Sequence, residues 1–209
     1  MRLWRSGLPH TKWLEIDYNM AEEFSKKTDE ELVLLAKGGR QGTVEELLHR
    51  HKGLVRSCAR RYFLVGGETE DLIQEGMLGL YRAIEGYDNE REDGSSFKNF
   101  AYLCISRRIL DAVKKAAKSS VEVQPLPFGS AMAQGGLSPD ELLILDDEQR
   151  EFRQKMSRVL SDFEFKIMTM YMDGMTCAEI CETTGKEAKS VDNAVQRSKR
   201  KLLQIILKK

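Results

Sequence analysis

Residues 70–88, EDLIQEGMLGLYRAIEGYD, carry the pattern from which the rest of the chain is read. On a helical wheel Ile73, Met77, Leu80, Tyr81 and Ile84 fall on one side, which predicts an amphipathic helix with a core-facing stripe. Asp71, Gln74, Glu75, Leu78 and Arg82 fall opposite, and Gly76, Gly79 and Ala83 line the flank between. A glycine inside a helix costs about 1 kcal/mol against alanine, so a second helix is expected to approach closely along that flank. The polar face suits either solvent or a partner, and this helix alone does not choose between them.

Helical patterns surround it. Thr28 with Glu31 forms a capping box, Leu32, Leu35 and Ala36 supply a stripe, and Gly38 and Gly39 stop the helix. Val44, Leu47, Leu48, His51, Leu54, Val55, Cys58 and Tyr62 predict a longer helix ended by Gly66 and Gly67, with His49 and His51 expected at the surface. Thr69 is the expected N-cap of the 70–88 helix. A further helix is predicted from about Ser96 to Lys118. Its apolar face is Phe97, Phe100, Ala101, Cys104, Ile105, Ile109, Ala112 and Val113, and its other faces carry Lys98, Tyr102, Arg107, Arg108, Lys114, Lys115 and Lys118. Aromatic residues on its first turns and cations further along are more than a plain surface helix requires.

Periodicity is then lost, and Pro125, Pro127, Gly129, Gly135 and Gly136 mark a linker. A helical region follows from Ser138, acidic at first, with Phe163, Ile167, Met168, Met170, Tyr171 and Met172 as an apolar run stopped at Gly174. The methionines are expected to fill core. In residues 175–202, MTCAEICETTGKEAKSVDNAVQRSKRKL, Ile180 and Cys181 lie on one helix, Gly185 sits at a turn, and Val191 and Ala194 fall inward on a second helix. This is helix-turn-helix spacing, in which the second helix enters the DNA major groove. Its outward positions are Ala188, Lys189, Asp192, Asn193, Gln196 and Arg197, and such amide, basic and acidic groups reach base edges and phosphates. The basic tail Lys199, Arg200, Lys201, Lys208 and Lys209 suits backbone contacts.

The expected fold is therefore all-α: two small helical domains joined by a flexible linker, the C-terminal one a helix-turn-helix. The expected boundaries are a flexible leader over 1–27, a first domain over 28–118, a linker over 119–137 and a second domain over 138–209. The leader holds Trp4 and Trp13 without sustained periodicity, and Met20 offers an alternative start.

Among the 209 residues, 33 Lys and Arg balance 33 Asp and Glu, so nucleic-acid binding through bulk charge is disfavoured and segregated patches must do the work. Acidic residues gather near the start and between Asp140 and Glu151, and basic ones at Arg107–Lys118 and after Lys186. Cys58, Cys104, Cys177 and Cys181 sit in apolar helical patterns without a disulfide framework, which suits a reducing cytoplasm. Cys177 and Cys181 are a helical turn apart, but no further Cys or His nearby completes a metal set. No long apolar run or signal-peptide pattern occurs, so a cytoplasmic protein off the membrane is expected. No phosphate loop, metal cluster or nucleophile motif is visible, and neither enzyme activity nor a cofactor is expected.

Three strings, EDLIQEGMLGLYRAI, SSFKNFAYLCISRRI and KSVDNAVQRSKRKL, occur in this order and together resemble the bacterial RNA polymerase sigma factors, nearest the small sigma-H type associated with sporulation and competence. The resemblance covers nearly everything from Thr28 onward. It implies docking of the Asp71–Tyr87 segment on a coiled coil of the polymerase's largest subunit, through Asp71, Leu72, Gln74, Glu75 and Leu78. It implies that the Phe97–Lys118 segment captures the promoter's upstream hexamer as a single strand. Phe97, Phe100 and Tyr102 would then lie nearest the melted strand, with Phe97 at least half structural, and Arg107, Arg108 and Asp111 nearest the duplex edge. Stacking of unpaired bases on aromatic rings, at about 1 to 3 kcal/mol each, makes this physically sensible. For the distal promoter element it implies contacts from Lys189, Asp192, Asn193 and Arg197. Leu103 and Cys104 stand where primary sigma factors carry a tryptophan pair, which favours a stringent alternative factor. Core polymerase and promoter DNA are the implied partners, with room for an anti-sigma protein. The competing expectation is a dimeric helix-turn-helix repressor or activator, which leaves the aromatic-basic and glycine-flanked helices unexplained.

Overall fold

The computed structural model describes residues 23–65, 69–88, 96–117, 122–125 and 150–206. Most of the expected leader, most of the linker, Gly66 and Gly67, the acidic stretch 138–149 and the end of the basic tail lie outside the described residues. Helix α1 is Asp29–Lys37, α2 Thr43–Ala59, α3 Thr69–Gly86 and α4 Phe97–Ala117. Residues 150–159 form α5, followed by α6 at Asp162–Met172, α7 at Cys177–Thr184 and α8 at Ala188–Ile206. The all-α class holds, with one addition. Strand β1, Tyr62–Val65, pairs antiparallel with β2, Glu122–Pro125, in the register Tyr62↔Pro125 to Val65↔Glu122. Tyr62 therefore belongs to a strand and not to α2, which ends at Ala59.

The first core forms around α3 and α4. On α4 the buried residues recur every four positions, at Phe97, Ala101, Ile105, Ile109 and Val113, and these meet Leu72, Leu80, Ala83 and Ile84 of α3 and Leu47, Val55 and Cys58 of α2. Side chains four apart lie on one helix face, so this row is a continuous apolar ridge. The α3 glycines admit the neighbouring helices: a Cβ on Gly79 would lie 2.9 Å from Cys104 O and Ile105 Cα, and one on Gly76 2.7 Å from Val55 Cγ1. The close approach expected from the sequence is thus present, and it makes both positions intolerant of a side chain.

Three expectations are corrected here. Tyr81, placed in the core stripe, is 44% exposed, and Leu72, which the resemblance implied as a polymerase contact, is 3% exposed. The buried face of α3 is rotated toward the glycine flank, because Gly76, Gly79 and Ala83 seat the helix against α2 and α4. His51 is buried, with Nε2 2.9 Å from Asp29 Oδ2 and its ring edge-on to Phe97 at 5.4 Å. The last leader residues are also docked: Phe24 is buried in the first core and its carbonyl accepts from Arg50 Nη2 at 2.5 Å.

A second core gathers Phe152, Met156, Leu160, Ile167, Met168, Ile180, Val191, Ala194 and Leu202. Its helix starts are locally encoded. Ser161 with Glu164, and Thr176 with Glu179, form capping boxes, as Thr28 with Glu31 does at the start of α1. Among the described residues no helix is long and apolar enough to cross a membrane.

Candidate functional site

Three surfaces carry the residues singled out by the sequence. The first is the outer face of α3. Asp71, Gln74 and Arg82 are exposed beside Leu78, at 51% exposure, and Tyr81, so two large apolar groups one turn apart stand among polar ones. An exposed apolar pair rimmed by polar side chains marks an interaction surface better than charge alone does. Glu75 is partly committed elsewhere: its Oε2 accepts from Arg108 Nε at 2.7 Å, tying α3 to α4. Leu72 lies beneath this face as core. Tyr81 was missed as a surface group because its wheel position borders the true apolar stripe.

The second surface is α4. Phe97 is fully buried, edge-on to His51 and Tyr87, and supports the helix from inside. Phe100 is half-buried and tilts against Tyr87 at 5.6 Å. Tyr102 is half-buried, and its Oη accepts from Arg61 Nη1 at 2.6 Å. Burial raises the Tyr102 phenol above its ordinary pKa, so it stays a neutral ring at physiological pH. Lys98, Arg107, Asp111, Lys114 and Lys115 are exposed, whereas Arg108 is half-buried in its pair with Glu75. The surface thus offers two aromatic edges, Phe100 and Tyr102, with cations before and after them. Arg61 and Tyr87, which hold these rings, come from other parts of the chain, and only the fold brings them there.

The third surface is the helix-turn-helix. Gly185 caps α7 in the left-handed conformation at φ 65°, turning the chain into α8. Val191, Ala194, Val195, Ser198 and Leu202 face inward. Lys189, Asp192, Asn193 and Gln196 are exposed along one side of α8. Arg197 is exposed too, but its Nε donates to Glu164 Oε1 at 3.3 Å, and Lys201 Nζ donates to Glu164 Oε2 at 2.7 Å. The Lys201 hydrogen bond, more than any other contact, holds the buried Glu164 carboxyl down at about 2. Glu164 was not singled out by the sequence, although its place three residues after Ser161 signals a capping box. Lys199 of the basic tail donates to Tyr171 Oη at 3.0 Å and so serves the fold.

The chain matches the sigma-70 region 2 family over residues 47–119, which holds the first two surfaces. It is 36% identical to the RNA polymerase sigma-H factor of Bacillus licheniformis, with 87% of each chain covered. It is 34% identical to the sigma-H factor of Bacillus subtilis strain 168, covering 87% of this chain and 89% of that one. A more distant relative is RNA polymerase sigma factor SigI of the same strain, 26% identical over 82% of this chain and 67% of the other.

Proposed function

The chain belongs to the RNA polymerase sigma factors, as an alternative member that directs transcription initiation, and from that premise we propose how its surfaces divide the work. The α3 face docks on core polymerase through Asp71, Gln74, Leu78 and Tyr81. Glu75 contributes by fixing Arg108 and the α3–α4 angle, and Leu72 by seating the helix. The α4 surface captures the melted strand of the upstream hexamer: Phe100 and Tyr102 stack on bases, Lys98 and Arg107 hold the backbone, and Arg108 and Asp111 lie toward the duplex edge. Phe97 is structural in this scheme. On α8, Lys189, Asp192 and Asn193 read the distal element, and Arg197 divides its charge between DNA and Glu164.

The bond-making chemistry belongs to the polymerase, and the chain adds specificity to it in the cytoplasm, on genes of the stationary-phase or sporulation kind. The first domain then spans the described parts of 28–118 and the second those of 138–209, with the intervening segment threading through the polymerase. An anti-sigma protein would compete for the α3 face, where the exposed apolar pair lies.

One observation supports this reading: Gly79 brings the backbones of α3 and α4 together and the Glu75–Arg108 pair ties their outer residues, so the helix that carries the polymerase face and the helix that carries the strand face pack as one block. Rigid coupling is what allows binding of the enzyme to position aromatic groups on unpaired bases. Run-off transcription tests it. Purified core polymerase plus this chain is expected to give discrete promoter-specific transcripts. Operator binding without core and without transcripts would favour a conventional helix-turn-helix regulator.

A further inference from the structure

Arg61 stands where three elements meet. It follows α2, whose C-cap is Arg60, and precedes Tyr62, the first residue of β1. Its backbone is held on both sides: Arg61 N donates to Cys58 O at 3.3 Å, and Tyr62 is buried in the first core and paired with Pro125 of β2. A side chain that leaves so constrained a backbone starts from a fixed point.

From there the guanidinium reaches α4, 41 residues further along the chain. Arg61 Nη1 donates to Tyr102 Oη at 2.6 Å, and the guanidinium carbon lies 5.5 Å from the centre of the Tyr102 ring. Ser106, one turn further along α4, hydrogen-bonds the same phenol, and its Oγ donates to the buried Cys58 Sγ of α2 at 3.9 Å. The phenol oxygen is thus gripped by Arg61 from the end of α2 and by Ser106 from its own helix.

This bond lies outside the apolar row of α4. The buried row is Phe97, Ala101, Ile105, Ile109 and Val113, whereas Tyr102 packs at the margin of the core and is half-buried. A half-exposed tyrosine has two χ angles, and ordering them when a ligand arrives subtracts from its binding free energy. A charge-assisted hydrogen bond to the far end of the ring settles both angles beforehand. The planar guanidinium suits this task, because its donors point in fixed directions where those of an ammonium rotate. Phe100 offers no oxygen to hold and packs instead against the Tyr87 ring at 5.6 Å.

We infer that Arg61 is a positioning residue for strand capture: it holds the Tyr102 ring ready for an unpaired base and acts on the DNA through that ring, without touching the DNA itself. The hydrogen bond stands on its own geometry, whereas its role in strand capture rests on the assignment of α4 given above.

The test is a double-mutant cycle in the full chain bound to core polymerase. Arg61→Ala, Arg61→Lys, Tyr102→Phe and Arg61→Ala/Tyr102→Phe are each checked for wild-type helix content and core affinity. Fluorescence anisotropy then follows binding of the labelled non-template strand of a promoter mapped by run-off transcription. Arg61→Ala is expected to weaken strand binding roughly fivefold, and Tyr102→Phe, which keeps the ring and removes its oxygen, by a similar factor. The double variant should lose no more than the weaker-binding single one, and Arg61→Lys, which keeps a charged donor, should recover part of the loss. Between about 50 and 200 mM salt the Arg61→Ala defect should stay constant, because no phosphate contact has been removed. Wild-type strand affinity in Arg61→Ala would overturn the inference, as would the same result in Tyr102→Phe, the milder change, should Arg61→Ala fail to fold. Losses that multiply in the double variant, or a shallower salt dependence in Arg61→Ala, would make Arg61 a direct DNA contact and overturn it equally. Phe100→Ala and Tyr102→Ala in the same assay separate the two levels. If neither weakens strand binding, the assignment of α4 fails; if both do while Arg61→Ala binds as the wild type, only the role of Arg61 falls.

Discussion

The seam between α3 and α4 and the joint between the end of α2 and the α6–α7 turn both use glycine to bring backbone against backbone, yet different interactions hold them. At the seam, Gly79 lies among Cys104, Ile105 and Arg108, flanked by the buried Leu80, Ile105 and Ile109, with the Glu75–Arg108 pair closing its edge. At the joint, the Gly53–Gly174 contact is held by Arg56 and Arg60 on carbonyl oxygens of the turn, beside an open groove lined by Gly53, Arg56, Gly174 and Met175. Apolar burial at about 25 cal/mol per Å² makes the first a permanent part of the fold. Hydrogen bonds that exchange for water at about 1 kcal/mol net make the second separable. Contact distance alone does not tell a core from a hinge; what surrounds the contact does.

The largest expected effect breaks the seam. Gly79→Val forces a branched side chain into the backbone of α4, and urea denaturation should show the first module destabilised by about 3 kcal/mol. Next comes the polar anchor within the second module. Glu164→Ala removes the N3 member of a capping box and the shared acceptor of Lys201 and Arg197, and is expected to cost about 2 kcal/mol, given that both cations are partly exposed. The same group sets an acid response. With its carboxyl lowered from 4.5 to about 2, the stability that Glu164 contributes is full above about pH 4.5 and is lost as pH falls toward 2. In denaturant titrations at stepped pH, Glu164→Gln should flatten that part of the second module's profile.

At the joint, Arg56→Glu should change the intrinsic unfolding free energy of either module by less than about 1 kcal/mol while separating the two, the reverse of the Gly79→Val pattern. The smallest effect sharpens the contrast. A Cβ on Gly53 would meet nothing nearer than Arg56 Nη2 at 4.0 Å, so Gly53→Ala should stabilise α2 by about 0.5 kcal/mol in the same titrations and leave the joint intact.

These contrasts also separate what was readable in the sequence from what was not. Thr28 with Glu31 and the Gly185 turn were legible because each is decided within a few residues by local hydrogen bonding or a left-handed backbone. The close approach at Gly76 and Gly79 was legible because glycine in a helix demands a reason. Tyr81 was put in the stripe because small residues count little in an apolar wheel, although they decide which side of α3 can approach its neighbours, and Leu72 lies on that buried side. His51, the β1–β2 pairing and the contact of Arg56 and Arg60 with the α6–α7 turn each join residues far apart in sequence. At the candidate site, Phe97, expected to be at least half structural, is fully buried, and Glu75 spends one carboxylate oxygen on Arg108. Their burial and partners depend on the packed helices and not on spacing.

That redistribution moves the decisive test to Leu78. It is exposed, takes no part in the Glu75–Arg108 pair, and can be changed without touching the core. The binding of purified Leu78→Lys to core RNA polymerase, followed by fluorescence anisotropy, tests most directly whether this face is the polymerase contact. Affinity is expected to fall roughly tenfold or more with the helix content unchanged. Wild-type affinity in this correctly folded variant would contradict the assignment.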